Sequence, residues 1–110
     1  MATSRSPSGW TGGAFVYSGK PDPIWAVPAE TAEVLAAHWE SFEPWEGEPP
    51  AAPQLGYRGA FLDDGAGRTW TAFSGAVQLG DEVRHDPGRE IERAVLAAAP
   101  PGALPDWVHD

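Results

Sequence analysis

The chain has 110 residues, seven Lys and Arg against sixteen Asp and Glu, no cysteine, and six tryptophans. That length suits one domain with its own hydrophobic core. The absence of cysteine excludes disulfides, thiol catalysis and Cys-ligated zinc, and a net charge of −9 disfavours nucleic-acid phosphates and anionic lipid as partners. The acids are unevenly placed: residues 21–57 hold Asp22, Glu30, Glu33, Glu40, Glu43, Glu46 and Glu48 and no Lys or Arg. A solvated surface is the simplest reading of such a run, and a basic protein or peptide is the partner it would favour.

Residues 1–12 read as a flexible Ser-, Gly- and Pro-containing arm with one isolated Trp10, and 13–110 as a single domain. The opening residues lack the apolar core of a secretory signal, no apolar run approaches the ~18 residues of a spanning helix, and the expected location is cytoplasmic. Ala14–Tyr17 has β character. The segment from Tyr17 to Trp25, with Pro21 and Pro23, reads as a stiff loop, because each proline fixes its own φ and turns its predecessor away from helix. Pro28 opens a helix over about 28–42, where Leu35, His38, Trp39 and Phe42 recur at i, i+3, i+4, i+7. Pro44 stops it, and the proline-rich segment 43–54 predicts an exposed loop carrying Trp45.

Tyr57–Leu62 and Arg68–Phe73 flank Asp63-Asp64-Gly65-Ala66-Gly67 and read as a β-hairpin. Ser74-Gly75 breaks the second strand, and Ala76–Leu79 gives a third. Asp86 as N-cap and Pro87 in the first turn open a second helix, with Ile91, Ala94, Val95 and Ala98 on one face. Pro100-Pro101-Gly102 ends it, and a tail with Trp107 folds back over the body. The order β-α-β-β-β-α defines an α+β fold, a small and mostly antiparallel sheet with two helices on one face.

No catalytic motif is complete. Ser18-Gly19-Lys20 has the end of a phosphate-binding loop, but Ala14 replaces its first glycine and Pro21 stands where Ser or Thr is required. Ser18 and Ser74 lack the nucleophile-elbow context. Asp63-Asp64-Gly65 is what a turn requires and lacks the alternation of a calcium loop. The reading is of a protein without catalytic residues, metal or cofactor. Two alternatives stand beside it: a small hydrolase or lyase using His38 or His85 with carboxylates, and a carbohydrate or small-ligand module that stacks sugars on Trp.

The candidate partner-binding residues are Lys20, Asp22 and Trp25 of the Pro-rich loop, Tyr57 and Arg58, and Trp45 of the acidic loop. Loops on a rigid scaffold concentrate recognition residues. Ser18-Gly19-x-Pro21-x-Pro23-x-Trp25, Leu55-Gly56-Tyr57-Arg58-Gly59 and Asp86-Pro87-Gly88-Arg89-x-x-Glu92-Arg93 together resemble a family of short, sparsely characterised bacterial proteins. The resemblance covers about residues 14–99 and transfers no catalytic role. It implies an accessory protein beside biosynthetic enzymes, such as a partner subunit of a peptide-modifying enzyme. The function expected is therefore non-catalytic recognition of a protein or peptide within a larger complex.

Overall fold

The structure is a computed structural model that describes residues 9–17, 21–51 and 56–105. The elements in chain order are β1 (Thr11–Ala14), β2 (Ile24–Ala26), α1 (Ala29–Ser41), β3 (Ala60–Asp63), β4 (Thr69–Phe73), β5 (Ala76–Leu79), β6 (Glu82–His85), a 3-10 turn at Pro87–Arg89, and α2 (Glu90–Ala97). The six strands form one sheet in the order β2-β1-β3-β4-β5-β6, with every pair antiparallel. This is the α+β class the sequence predicts, with two strands more than expected.

Successive residues of a strand face opposite sides of the sheet, so the register sorts the side chains. The row Trp25–Gly12–Leu62–Trp70–Leu79–Glu82 crosses all six strands on the helix side. Beside it run Ala14, Ala60, Ala72, Val77 and Arg84. Trp25, Leu62, Trp70 and the alanines are buried there with Ile91, Val95 and Leu96 of α2. Trp10 stacks on Trp70 at 5.8 Å between ring centroids. The same side receives α1, whose buried residues are Ala32, Leu35 and Trp39. Arg84 of β6 lies over the Trp39 ring at 4.3 Å and donates to the Trp39 carbonyl at 2.7 Å.

Four sequence expectations change. The first strand lies three residues earlier than Ala14–Tyr17 and takes in part of the expected arm, so Trp10 is core and Thr11 and Gly12 are sheet. Glycine has low strand propensity, yet here it is a packing requirement: a Cβ on Gly12 would fall 2.9 Å from Val27 Cγ2 and 3.1 Å from Val95 Cγ1. Ile24–Ala26, expected within a loop, is a three-residue edge strand between Pro23 and Pro28. Glu82–His85 is a strand that its mixed charges conceal. Finally, Pro87 opens a 3-10 turn and not α2 itself, because Gly88 and Arg89 adopt positive φ of 79° and 55°.

The helix over 29–41 and β5 lie where the sequence puts them, and so does the hairpin, although its first strand begins at Ala60, three residues after the expected Tyr57, and takes in Asp63 of the expected turn. The third and fourth strands join around a turn that supplies its own bonds. Asp63 accepts from the Gly65 N–H at 2.7 Å, and Asp64 accepts from the Ala66 and Arg68 N–H groups at 2.8 and 3.0 Å. The acidic segment after α1 is partly ordered by the sheet: Trp45 N–H donates to the Val83 carbonyl at 2.8 Å and His85 N–H to the Glu43 carbonyl at 2.7 Å. Residues 43–45 thus cover the outer edge of β6.

Candidate functional site

Three of the six expected site residues, Asp22, Tyr57 and Arg58, lie together at one end of the sheet. Asp22 accepts from the N–H groups of Val16 and Tyr17, both at 2.8 Å. Arg58 donates to the Tyr17 carbonyl at 2.5 Å and stands 3.8 Å from Asp22. These bonds fix the chain leaving β1 against the chain entering β2 and β3. Asp22 and Arg58 are half-buried, and their polar atoms are committed to that clamp. Lys20, Ser18, Gly19 and Leu55 lie outside the described residues, as do the tail from residue 106 and the first eight residues.

Beside the clamp is a carboxylate that the sequence did not single out by function. Glu92 of α2 is 1% exposed. One of its oxygens accepts from the Ser74 N–H at 2.9 Å and from Arg89 Nε at 3.2 Å; the other accepts from the Tyr57 hydroxyl. Burial, and then the bond to Glu92, drives the Tyr57 phenol far above its ordinary value, so it holds its proton as a donor. Ser74 and Arg89 are the two non-glycine residues with positive φ among those described. Ser74 and Gly75, at 54° and 89°, form the two-residue link between β4 and β5 that needs positive φ at both positions. Glu92 therefore pins a hairpin turn and the kink ahead of its own helix.

Asp86, also buried, accepts from the Glu90 and Ile91 N–H groups at 2.8 Å each. It caps α2 from across the 3-10 turn. Burial raises its carboxyl above the ordinary value, against the opposing effect of those two donors. In this network Glu92 has three donors, Asp86 has two and Tyr57 is locked as a donor, so the arrangement holds backbone rather than presenting a base or nucleophile.

Trp45 stacks on His85 at 4.1 Å and donates through Nε1 to the Glu48 carbonyl at 3.2 Å. The pair borders a recess of about 490 Å³ with Glu43, Ser74, Gly75, Asp86 and Pro87. Trp45 is half-buried where an exposed ring was expected. Trp25 is a core residue: it is 6% exposed and its Nε1 donates to the Val95 carbonyl of α2 at 3.1 Å. The structure thus sets Asp22 beside Arg58, with Tyr57 adjoining in sequence, leaves Trp45 on the far side of the β4–β5 turn, and withdraws Trp25 from the surface.

A larger recess, about 660 Å³, lies between the two helices. Glu30, Thr31, Val34, Leu35 and His38 of α1 line one side, and Gly88, Glu90, Arg93 and Ala94 the other. A second recess of about 370 Å³ shares Thr31 and Ala94 and extends to Pro28, Ala97 and Ala98. His38 Nε2 meets Glu90 at 3.6 Å. Val34 is 55% exposed and, with Ile24, is one of two large apolar residues exposed among those described. Leu35 and His38 of the expected α1 stripe border this recess, but the residues of α2 that face them are set by the tertiary fold and carry no local signal. The available signal was Val34 itself, an aliphatic residue off that stripe.

Among the described residues no helix is long and apolar enough to cross a membrane. Comparison with protein-family models, with curated proteins and with solved structures finds no match to this chain. The class defined by these observations is structural: a six-stranded antiparallel α+β domain whose Asp22, Asp86 and Glu92 carboxylates hold turns and a helix cap.

Proposed function

We propose that this protein is a non-catalytic accessory subunit that recognises a protein or peptide within a larger cytoplasmic complex. The observation that carries this reading is the recess between α1 and α2, lined by the exposed Val34 together with charged groups. Recesses of a few hundred Å³ with an apolar lining and few polar groups are where proteins hold ligands, and an exposed segment of a partner is the ligand proposed here. The polar groups elsewhere that resemble catalytic machinery are engaged in holding turns and caps. The chain's net charge of −9 favours a basic partner and its on-rate. The three sequence motifs, which resemble a family of short, sparsely characterised bacterial proteins, support the same reading through that family's association with biosynthetic enzymes, and suggest a partner that is an enzyme or its peptide substrate.

The reading is tested by affinity capture of the tagged full chain in its host, with mass spectrometry and sizing of the product. It predicts one stoichiometric partner and a defined complex. A monomer that retains no partner, and that turns over or binds a small molecule, overturns it.

A further inference from the structure

We propose that the outer edge of β2 is a homodimer interface: a second copy of this chain adds its own β2, antiparallel about a two-fold axis, and joins two six-stranded sheets into one. The two edges of the sheet are treated differently. At β6 the outward backbone groups are used, because the Val83 carbonyl accepts from Trp45 N–H and His85 N–H donates to the Glu43 carbonyl. At β2 they are not. Ala14 N–H donates to the Pro23 carbonyl, and Val27 N–H to the Trp10 carbonyl. Bonded pairs alternate along an antiparallel ladder, so Trp25, opposite Gly12, also turns its N–H and C=O inward. Ile24 and Ala26 therefore point theirs outward. Both residues are exposed, Ile24 at 65%, and no strand among the described residues pairs with that side of β2.

Two outward N–H groups and two outward carbonyls at strand spacing are completed by another extended strand. A copy of β2 fits them in number and in register. With Trp25 facing the copy's Trp25, Ile24 exchanges two hydrogen bonds with the copy's Ala26, and Ala26 exchanges two with the copy's Ile24. The match ends where the edge ends, since Pro23 has no N–H and Val27 donates inward. The side chains agree. Ile24 and Ala26 lie on the face away from the helices, where the Phe61 ring fills the space that a Cβ on Gly13, opposite Ile24, would take. Pairing sets each Ile24 beside the small Ala26 of the other chain. Such a patch is self-complementary, as a two-fold interface requires.

Charge favours this occupant over a foreign strand. Residues 23–28 carry no ionisable side chain, and Asp22 just before them stands 3.8 Å from Arg58. Edges that stay single are commonly guarded by Lys or another charge, and this one has none. A basic strand from another protein finds no carboxylate in residues 23–28 to select it. The net charge of −9 is carried by the rest of the chain, and salt screens its repulsion.

Sedimentation of the full chain at rising concentration, up to about 1 mM where association counts as weak, should show a mass moving from 11.7 kDa toward twice that value. The dimer should tighten as salt is raised, because screening relieves repulsion between two acidic chains. Amide exchange locates the contact: Ile24 and Ala26 should slow about tenfold or more as the dimer fills, while Val27, already bonded to Trp10, changes little. Ala26→Pro deletes two of the four new bonds at an edge position whose N–H the monomer does not use. Ile24→Lys puts a guarding charge on the same edge. Each should weaken the dimer about tenfold or more, as loss of a central contact does, with a melting temperature near the parent's. A chain that stays monomeric throughout overturns the proposal. So does a dimer that both variants leave unchanged, or one that loosens as salt rises and is therefore held by ion pairs. Slow exchange at Ile24 and Ala26 in the monomer overturns it too, since a segment of the same chain would then occupy the edge. The reading of the recess between α1 and α2 stands or falls separately.

Discussion

The end of the sheet and the groove between the helices divide the work of this chain in opposite ways. The sheet end holds most of the residues that attract notice in the sequence: Asp22, Tyr57, Arg58, Asp86, Arg89 and Glu92. There the side chains answer backbone groups that irregular turns would otherwise leave without partners. The groove holds unremarkable residues, Thr31, Val34 and Ala94, of which Val34 stays exposed. Density of polar motifs marks where the backbone is hard to satisfy, while available surface marks where a partner can sit.

Substitutions that separate stability from recognition sharpen this contrast. The largest loss is expected from Glu92→Ala, which takes the acceptor from the Tyr57 hydroxyl and the Ser74 N–H and breaks the ion pair with the 40% exposed Arg89 side chain. Removing one member of a buried charged network costs about 3–5 kcal/mol, and urea or thermal unfolding should show a shift of that order. Asp86→Ala removes both cap bonds of α2 and should cost about 2 kcal/mol, at the upper end for such caps. Amide exchange should then rise first at Glu90 and Ile91. A uniform rise over the whole chain would contradict a local cap.

A third test uses pH. The Asp64 carboxyl is held below its ordinary 3.8 chiefly by its bond to Arg68, then by the N–H groups of the turn. Its folded value lies under the unfolded one, so its contribution is present above 3.8 and disappears as pH falls through the folded value. Asp86 has the opposite sign: burial raises its folded value, so the part of stability tied to its protonation is present at low pH and is lost as pH rises through that value, while its two cap bonds persist in the ionised form. Urea midpoints from pH 2.5 to 6 should therefore fall less steeply at the acid end for Asp64→Asn than for the parent. Identical slopes would remove Asp64 from the account. The smallest effect on folding belongs to the groove. Val34→Gln should leave stability within about 0.5 kcal/mol, as exposed substitutions do, and lose partner binding nonetheless.

Much of the fold was legible. Proline-led α1, the hairpin with its Asp-Gly turn and β5 follow from periodicity and turn chemistry, which act locally. β1 was displaced because Gly12 serves the sheet by leaving room for Val27 and Val95, a requirement set by residues far along the chain. β2 and β6 were hidden for related reasons. The three-residue strand Ile24–Ala26 in a proline-bounded segment and the sequence Glu-Val-Arg-His carry no period, and their strand character comes from neighbours already in place. The motifs around Asp22, Tyr57 and Arg58 were legible as special, but their partners were not, because Arg58 meets Tyr17 and Tyr57 meets Glu92 only after folding. Trp25 shows the same limit: an aromatic beside prolines resembles a surface anchor until α2 covers it.

The most direct test of the central claim compares Val34→Gln and Tyr57→Phe in one experiment, measuring melting temperature and capture of the host partner for each. The account predicts a melting temperature near the parent's and lost capture for Val34→Gln, and a lowered melting temperature with capture retained below the transition for Tyr57→Phe. The reverse pattern, with capture lost in stably folded Tyr57→Phe and kept in Val34→Gln, would contradict it and return recognition to the end of the sheet.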